Sequence, residues 1–199
     1  MSANDELKLL SDEQLFCQIK AGDIVAFDEL YYRYSHRLLH YLLRMLNGNE
    51  SRAQDLLQDI FLRVLNKRNQ FHDTKKFSTW IYAITHNLCK NEYRQRQNHK
   101  TVNLTDSGPP LIAVEDSPDA TINNIDLKSF SERLLLLLKY LPVDQRSTFL
   151  LRFQENLSIP AIAEIMNCPA GTVKSRLYYT LAMIAERLKV FDPNKSEVL

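Results

Sequence analysis

Residues suited to contact duplex DNA lie within Leu157–Leu188, which the sequence predicts to form two helices joined by a tight turn. The packing face of the second helix spans roughly 80° of arc and consists of Val173, Leu177, Leu181, Ile184 and Leu188. The opposite face is polar and holds Thr172, Ser175 and Tyr179, with Lys174 and Arg176 on its flanks. Short polar groups can read base edges while cations hold phosphates. An ordinary helical hairpin is the alternative, but the short turn and the basic start of the helix favour DNA.

A second segment mixes aromatic rings with cations. Ser78 can cap a helix that runs to about Gln97, with Trp80, Ile81, Ile84 and Leu88 on its buried face. The other face is predicted to expose Tyr82, His86, Lys90, Tyr93 and Arg94. Rings can stack on unpaired bases while cations hold the backbone, so this face predicts binding to separated strands. An amphipathic helix with snorkelling Tyr and Lys side chains is the alternative.

A third segment, the helix predicted from about Ser51 to Arg68, is suited to contact a protein. Its packing face consists of Leu56, Leu57, Ile60, Phe61 and Val64. Asp55, Gln58, Asp59 and Leu62 are expected on the opposite face, where Leu62 can anchor a partner and the carboxylates can select a basic one. A solvated acidic face with one exposed Leu is the alternative.

The remaining reactive residues are not predicted to form a catalytic or metal site. His36 and His40 stand four apart, but no further His, Cys or carboxylate motif joins them. The three cysteines, Cys17, Cys89 and Cys168, are widely spaced, which argues against a disulfide framework or a zinc cluster. With no phosphate loop and no catalytic pair, we expect neither enzymatic activity nor a metal or other cofactor.

Composition and periodicity predict an all-α protein of 199 residues with a net charge of +1 and only 4 glycines. Further helices are expected at residues 11–20, 23–46, 125–140 and 143–154. The Pro-, Gly- and Asp-rich stretch at 98–124 is predicted to be a flexible linker. The sequence therefore predicts two small helical domains, residues 1–97 and 125–199, the second containing a helix-turn-helix.

The polar start of the chain argues against a signal peptide, and its apolar runs are too short to span a bilayer. We therefore expect a cytoplasmic protein without direct membrane insertion.

Five motifs together resemble the extracytoplasmic-function (ECF) group of bacterial RNA polymerase sigma factors, over about Leu15 to Leu188. They are AFDELYYRY, AQDLLQDIFLRVL, FSTWIYAITHNLCKNEYR, LPVDQRSTFLLRF and NCPAGTVKSRL, in that order. Each motif is moderately specific by itself, and their order and spacing together are highly specific. The short linker and the absence of an acidic region before Leu15 point to the ECF group.

The resemblance implies a role for each of the three surfaces. Asp55, Gln58, Asp59 and Leu62 match positions that dock on the clamp coiled coil of the polymerase's largest subunit. Contact with the promoter −10 element is implied for Lys75, Lys76, Phe77, Tyr82, His86, Asn87, Lys90, Tyr93 and Arg94. Contact with the −35 element is implied for Thr172, Lys174, Ser175, Arg176, Tyr178 and Tyr179. At Tyr179, family members often carry Arg.

As a sigma factor, the chain is expected to bind core RNA polymerase through its largest and second-largest subunits. It is expected to direct promoter-specific initiation without catalysis of its own. Promoter DNA and an anti-sigma factor are the other expected partners. Another helix-turn-helix regulator is the competing function, but it leaves the Asp55 surface and the Tyr82–Arg94 surface unexplained.

Overall fold

The computed structural model describes residues 6–72, 74–101 and 127–189, and within these residues the regular structure is entirely helical. Four helices belong to the first half: α1 (Asp12–Lys20), α2 (Ile24–Met45), α3 (Glu50–Asn66) and α4 (Phe77–Thr101). A 3-10 turn at Arg68–Gln70 follows α3. The second half contributes α5 (Leu127–Tyr140), α6 (Val143–Phe153), α7 (Ile159–Ile165) and α8 (Ala170–Arg187). The predicted all-α fold is confirmed, and most of the predicted linker at 98–124 lies outside the described residues.

Side-chain caps determine where several helices begin. Ser11 forms a capping box with Gln14 at the start of α1. The Asp23 carboxylate accepts hydrogen bonds from the first amides of α2, and Asn49 accepts one at the start of α3. Ser158 caps α7, as the sequence predicts. These short polar side chains satisfy amides that have no partner within their helix.

An aromatic cluster forms part of the core of the first half. The Phe16 ring lies 5.0 Å from that of Phe71, 5.1 Å from Phe77 and 5.4 Å from Trp80, centroid to centroid. Phe16 and Phe77 are fully buried. This cluster fixes the start of α4 against α1 and therefore positions the loop that precedes α4.

The helix-turn-helix consists of α7 and α8. At the turn, Asn167 adopts a left-handed conformation with φ of 48°, which Asn tolerates better than most residues. The Cys168 amide donates to the Ala163 carbonyl at 3.0 Å and the Asn167 amide to the Glu164 carbonyl at 3.2 Å. This is the Schellman pattern of helix termination, so it ends α7 and allows α8 to start in a new direction.

The packing face of α8 differs at one position from the prediction. Val173, Leu177, Ile184 and Leu188 are buried as expected, but Leu181 is 42% exposed and Thr180 is buried in its place. A spacing of 173, 177, 180, 184 and 188 follows the i, i+4, i+7 pattern of a helix with one covered side.

The two halves contact each other. Helix α6 packs against α2 and α4, and α7 packs against α4. The sequence does not predict this contact, and it determines which side chains of α4 are exposed.

Candidate nucleic-acid and protein interfaces

The acidic surface of α3 is exposed as predicted. Asp55, Gln58 and Asp59 are exposed, and the Leu62 side chain is 58% exposed. The Asp55 carboxylate lies 3.6 Å from the guanidinium of Arg52 on the same helix. The opposite side of α3 is buried in the core, so these side chains are available to a partner without any change in packing.

Helix α8 presents a polar and aromatic face to solvent. Lys174 and Ser175 are exposed, as are Tyr178 at 69% and Tyr179 at 65%. The two tyrosine rings lie 5.5 Å apart in an edge-to-face arrangement. The Ser175 hydroxyl donates to the Thr172 carbonyl at 3.0 Å, which leaves its oxygen free to accept a further hydrogen bond. Thr172 itself is half-buried at the edge of this face.

Arg176 does not occupy the exposed flank of α8 that the sequence suggests. Its Nη2 donates to Oδ2 of Asp144 on α6 at 2.7 Å, and Nη1 lies 3.8 Å from Sγ of Cys168. The side chain is 23% exposed. The guanidinium is therefore engaged in holding α8 to α6, and Lys174 is the more accessible of the two predicted phosphate contacts.

Five polar and basic residues of α4 and the preceding loop are exposed: Lys75, Lys76, Asn87, Lys90 and Arg94. The Lys75 ammonium lies 2.7 Å from Oε1 of Glu164 on α7. The Lys76 ammonium lies 3.9 Å from Oε1 of Glu13 on α1. Both lysine side chains are exposed, so these ion pairs exchange readily with water and with phosphate. The basic part of the predicted −10 surface is thus accessible.

The aromatic part of the predicted −10 surface is not accessible, which corrects the expectation of one exposed face. Phe77 is fully buried in the aromatic cluster with Phe16. Tyr82 and His86 are 0% and 2% exposed, and Tyr93 is half-buried. Helix α4 is covered on two sides, by the core of its own half and by α6 and α7, so a pattern that assumes one packing face misplaces these residues.

Buried polar contacts explain the positions of these side chains. The Tyr82 hydroxyl donates to the Glu155 carboxylate. His86 Nδ1 lies 2.9 Å from the Ser147 hydroxyl, and the Tyr93 hydroxyl donates to the Met45 carbonyl at 2.5 Å. Burial, the largest cause, lowers the pKa of His86 to about 4, and the positive charges of Lys90 and Arg176 act in the same direction.

Sequence reasoning missed Arg146, Ser147 and Glu155, which supply the partners of these groups. One sequence pattern could have indicated buried polar residues here: Arg146, Ser147 and Thr148 are adjacent within an otherwise amphipathic segment. All three are buried in the structure. Their partners could not be identified from spacing, because Ser147 and Tyr41 are 106 residues apart in the chain.

Two further observations concern ligands and membranes. The rings of His36 and His40 lie 6.0 Å apart, and nowhere in the described part of the chain do three His, Cys, Asp or Glu side chains group as metal ligands would. Across residues 6–72, 74–101 and 127–189, each helix is too short or too polar to cross a bilayer.

Residues 30–99 match the family described as Sigma-70 region 2, and residues 131–188 match that described as Sigma-70, region 4. The ECF RNA polymerase sigma-E factor of Haemophilus influenzae is 32% identical over 190 residues, which cover 90% of this chain and 96% of that protein. The RNA polymerase sigma-H factor of Pseudomonas aeruginosa is 29% identical over 185 residues, covering 89% and 94% respectively.

Two solved structures share the fold. CnrH, solved in complex with the cytosolic domain of CnrY, aligns with a TM-score of 0.66 at 20% identity over 90% of this chain and 97% of that chain. The sigma factor RpoE of Bartonella quintana, solved with the anti-sigma factor NepR, aligns with a TM-score of 0.63 at 22% identity over 82% and 97%.

Proposed function

Because this chain belongs to the ECF group of the sigma-70 family of RNA polymerase sigma factors, we propose that it divides promoter recognition between its two halves. A sigma factor directs core polymerase to chosen promoters. In this chain, the second half reads the −35 element as duplex, and the first half opens the −10 element and holds one strand. The chain has no catalysis of its own in this role and acts in the cytoplasm, beside the polymerase.

The observation that carries this proposal is the exposed face of α8. It is the second helix of a helix-turn-helix, the element that enters the major groove in this class of motif. Tyr178, Tyr179 and Ser175 offer hydroxyls to base edges, and Lys174 offers a cation to a phosphate. Arg176 acts mainly by holding α8 on α6 through Asp144.

The exposed cations of the first half are suited to the −10 strand. Lys75, Lys76, Lys90 and Arg94 can pair with phosphates, and the Asn87 amide can hydrogen-bond to a base. Phe77 supports this surface from the core and does not contact DNA.

The exposed surface of α3 is suited to core polymerase. Asp55, Asp59 and Gln58 surround Leu62, so the surface pairs an apolar anchor with carboxylates that favour a basic partner. We assign it to the clamp coiled coil of the largest subunit. The second-largest subunit is the expected neighbour of the rest of the chain.

An anti-sigma factor is a further proposed partner. RpoE of Bartonella quintana was solved with one, and CnrH was solved with the cytosolic domain of CnrY. The chain has the same fold as both proteins, which supports a partner of this kind here.

Transcription with core polymerase tests the proposal. Promoters would first be identified by sequencing transcripts after overexpression and then used with purified core and the full chain. We expect specific transcripts from the wild type. Lys174→Ala should weaken binding of the holoenzyme to promoter duplex and reduce its salt dependence by about one phosphate contact between roughly 50 and 200 mM salt.

Lys139→Ala is the matched control, because Lys139 is an exposed cation on α5, where it lines a groove with His40 and Arg44 of α2. It should leave both affinity and salt slope unchanged. Equal losses in the two variants would contradict the assignment of α8, and duplex binding without any polymerase-dependent transcript would favour a different kind of helix-turn-helix regulator.

A further inference from the structure

An open groove lies between the C-terminal end of α2 and the C-terminal end of α5, and its volume is about 350 Å³. Its apolar lining consists of Leu43 on α2 and of Leu135 and Leu138 on α5. Leu138 is 3% exposed and joins the groove to the core, whereas Leu135 is 40% exposed. Sites for small ligands are typically apolar concavities of roughly 300–1,000 Å³ that contain a few polar groups. The groove therefore has a size and an apolar lining that suit a small ligand.

Three basic side chains line the same groove, namely His40, Arg44 and Lys139, and none of the lining residues is acidic. All three are exposed. In the part of the chain that the structure describes, none of them forms an ion pair with a carboxylate. An anionic group would pair with these cations, and the leucines would remove an alkyl chain beside it from water. The lining thus favours a ligand that carries a negative charge on an apolar body.

The C-terminal end of α2 would by itself disfavour an anion, because the last carbonyls of a helix carry partial negative charge. In this chain those carbonyls already have partners. The Leu43 carbonyl accepts from the Gly48 amide at 2.8 Å, and the Met45 carbonyl accepts from Nη1 of Arg146 at 2.9 Å. The basic side chains of the lining therefore dominate the electrostatics of the groove.

Hydrogen bonds hold the sides of the groove in place. Nη1 of Arg146 donates to Oδ1 of Asn47 at 2.8 Å, and Nη2 of Arg146 donates to the Lys139 carbonyl. Nη1 of Arg44 donates to Oε1 of Gln154 at 2.6 Å. The guanidinium of Arg44 and the backbone of Lys139 are therefore positioned before a ligand binds, which lowers the entropic cost of binding.

We propose that this groove binds a free fatty acid. The carboxylate pairs with Arg44 and Lys139, and the alkyl chain lies against Leu43, Leu135 and Leu138. Arg44 uses one N–H group on Gln154 and has further donors in the planar arrangement that suits a carboxylate. The volume of the groove fits one alkyl chain of medium length and not the two chains of a membrane phospholipid.

A fatty acid in the groove contacts both halves of the chain at once, because Arg44 belongs to α2 and Lys139 to α5. It therefore binds more tightly while the halves are in contact, and by mass action it stabilises that contact. This site goes beyond promoter recognition. It does not rest on the proposed function, since it concerns the free chain and a small molecule.

Isothermal titration calorimetry of the full chain with decanoate, at concentrations below those at which micelles form, measures binding. We expect a single saturable site. Decanol keeps the chain without the charge, and acetate keeps the charge without the chain. Each lacks one of the two contributions, so each should bind at least roughly tenfold more weakly than decanoate. Bound decanoate should also raise the midpoint of thermal unfolding.

Substitutions in the groove test where decanoate binds. Arg44→Gln removes the charge but keeps an amide that can hydrogen-bond to Gln154, and we expect a Kd roughly tenfold higher. Leu135→Asn and Lys139→Ala should also raise the Kd, although Lys139→Ala leaves promoter binding unchanged in an assay without fatty acid. Arg63→Gln is the control, because it makes the same charge change at an exposed position on α3. It should leave the Kd for decanoate unchanged.

Sedimentation with phosphatidylglycerol vesicles separates a soluble ligand from a membrane surface, and we expect no binding to the vesicles. Binding to vesicles that Arg44→Gln abolishes would overturn the proposal in favour of a lipid surface, whether or not decanoate binds. Absence of a saturable decanoate site, equal affinity for decanoate and decanol, or equal losses in Arg44→Gln and Arg63→Gln would also contradict it. These measurements contain neither polymerase nor DNA, so their failure and the failure of the proposed function are distinguishable.

Discussion

At the scale of single residues, Asp59 and Leu62 are the side chains on which we expect polymerase binding to depend most. Both project from the exposed side of α3, and the opposite side of the same helix is buried in the core. A change at these positions therefore alters a binding surface without creating a cavity. Interfaces of this kind derive most of their affinity from a few such residues.

Charge reversal combined with loss of the apolar anchor should disrupt this contact. Asp59→Lys with Leu62→Ala should weaken core binding by about 2 kcal/mol or more, roughly thirtyfold in Kd, as for an interface hot spot. Binding can be measured by titration of labelled protein with core polymerase, and unfolding in urea should be nearly unchanged.

Asp28→Lys provides the control, since Asp28 is an exposed carboxylate on α2 rather than α3. Equal losses of affinity at the two sites would indicate general electrostatic attraction and not a docking surface.

At the scale of elements, the start of α4 depends on a residue of α1. The Phe77 amide donates to Oε1 of Glu13 at 3.1 Å. A carboxylate at a helix N-terminus is favourable because it satisfies a free amide and lies at the positive end of the helix dipole. The sequence predicts Ser78 as the cap, but the helix begins at Phe77, so Ser78 lies inside its first turn and the capping carboxylate comes from another helix.

Loss of this cap should destabilise the first half. Glu13→Ala should cost about 1 kcal/mol, the usual effect of removing a helix cap. Glu13→Gln should cost less, because its amide oxygen can still accept the bond. Urea unfolding followed by the fluorescence of Trp80, the only tryptophan, measures both.

The order of the two variants is the informative result. Equal destabilisation by Ala and Gln would assign the effect to charge, through Lys76 at 3.9 Å, rather than to the hydrogen bond.

At the scale of the whole molecule, the contact between the two halves should depend on pH through His86, whose Nδ1 lies 2.9 Å from the Ser147 hydroxyl. While the halves are in contact, burial lowers the pKa of His86 to about 4, against an ordinary value of 6.5. Between these pH values the protein binds fewer protons with the halves in contact than with the halves apart. The contact is therefore fully stable above pH 6.5 and weakens as pH falls towards 4. The charges that act on His86 are those of Asp144, Lys90 and Arg176.

Mild acid should therefore favour separation of the two halves. At about pH 5.5 the contact between the halves should be about 1.4 kcal/mol weaker than at about pH 7.5, roughly tenfold in the ratio of joined to separated molecules. The radius of gyration should rise between about pH 7.5 and 5.5 in the wild type.

His86→Gln tests the origin of this dependence, since an amide does not titrate in this range. The variant should show no change in radius over the same interval. An equal rise in the radius of gyration of the variant would show that groups other than His86 cause the pH dependence.

The sequence by itself determined the local structure and two of the three surfaces. Periodicity and short polar caps such as Asp23 and Ser158 act within a few residues, so helix positions followed from neighbours in the chain. The exposed faces of α3 and α8 were also predicted from the sequence, because each of these helices is covered on one side only. Their apolar stripes identify the opposite face as exposed, and at α8 the correction is confined to Leu181, Thr180 and the tether of Arg176.

Only the tertiary structure decided which side chains of α4 are exposed. Its predicted outer face meets α6 and α7, so Tyr82 and His86 are buried by residues 73 and 61 positions away in the chain. Hydrophobic periodicity identifies the apolar side of a helix. It does not distinguish a polar face that faces water from a polar face whose tyrosine and histidine side chains are buried and hydrogen-bonded to another helix, because the two faces have the same composition. Which of the two it becomes depends on whether another element supplies partners for those polar groups, and that is a property of packing and not of local sequence.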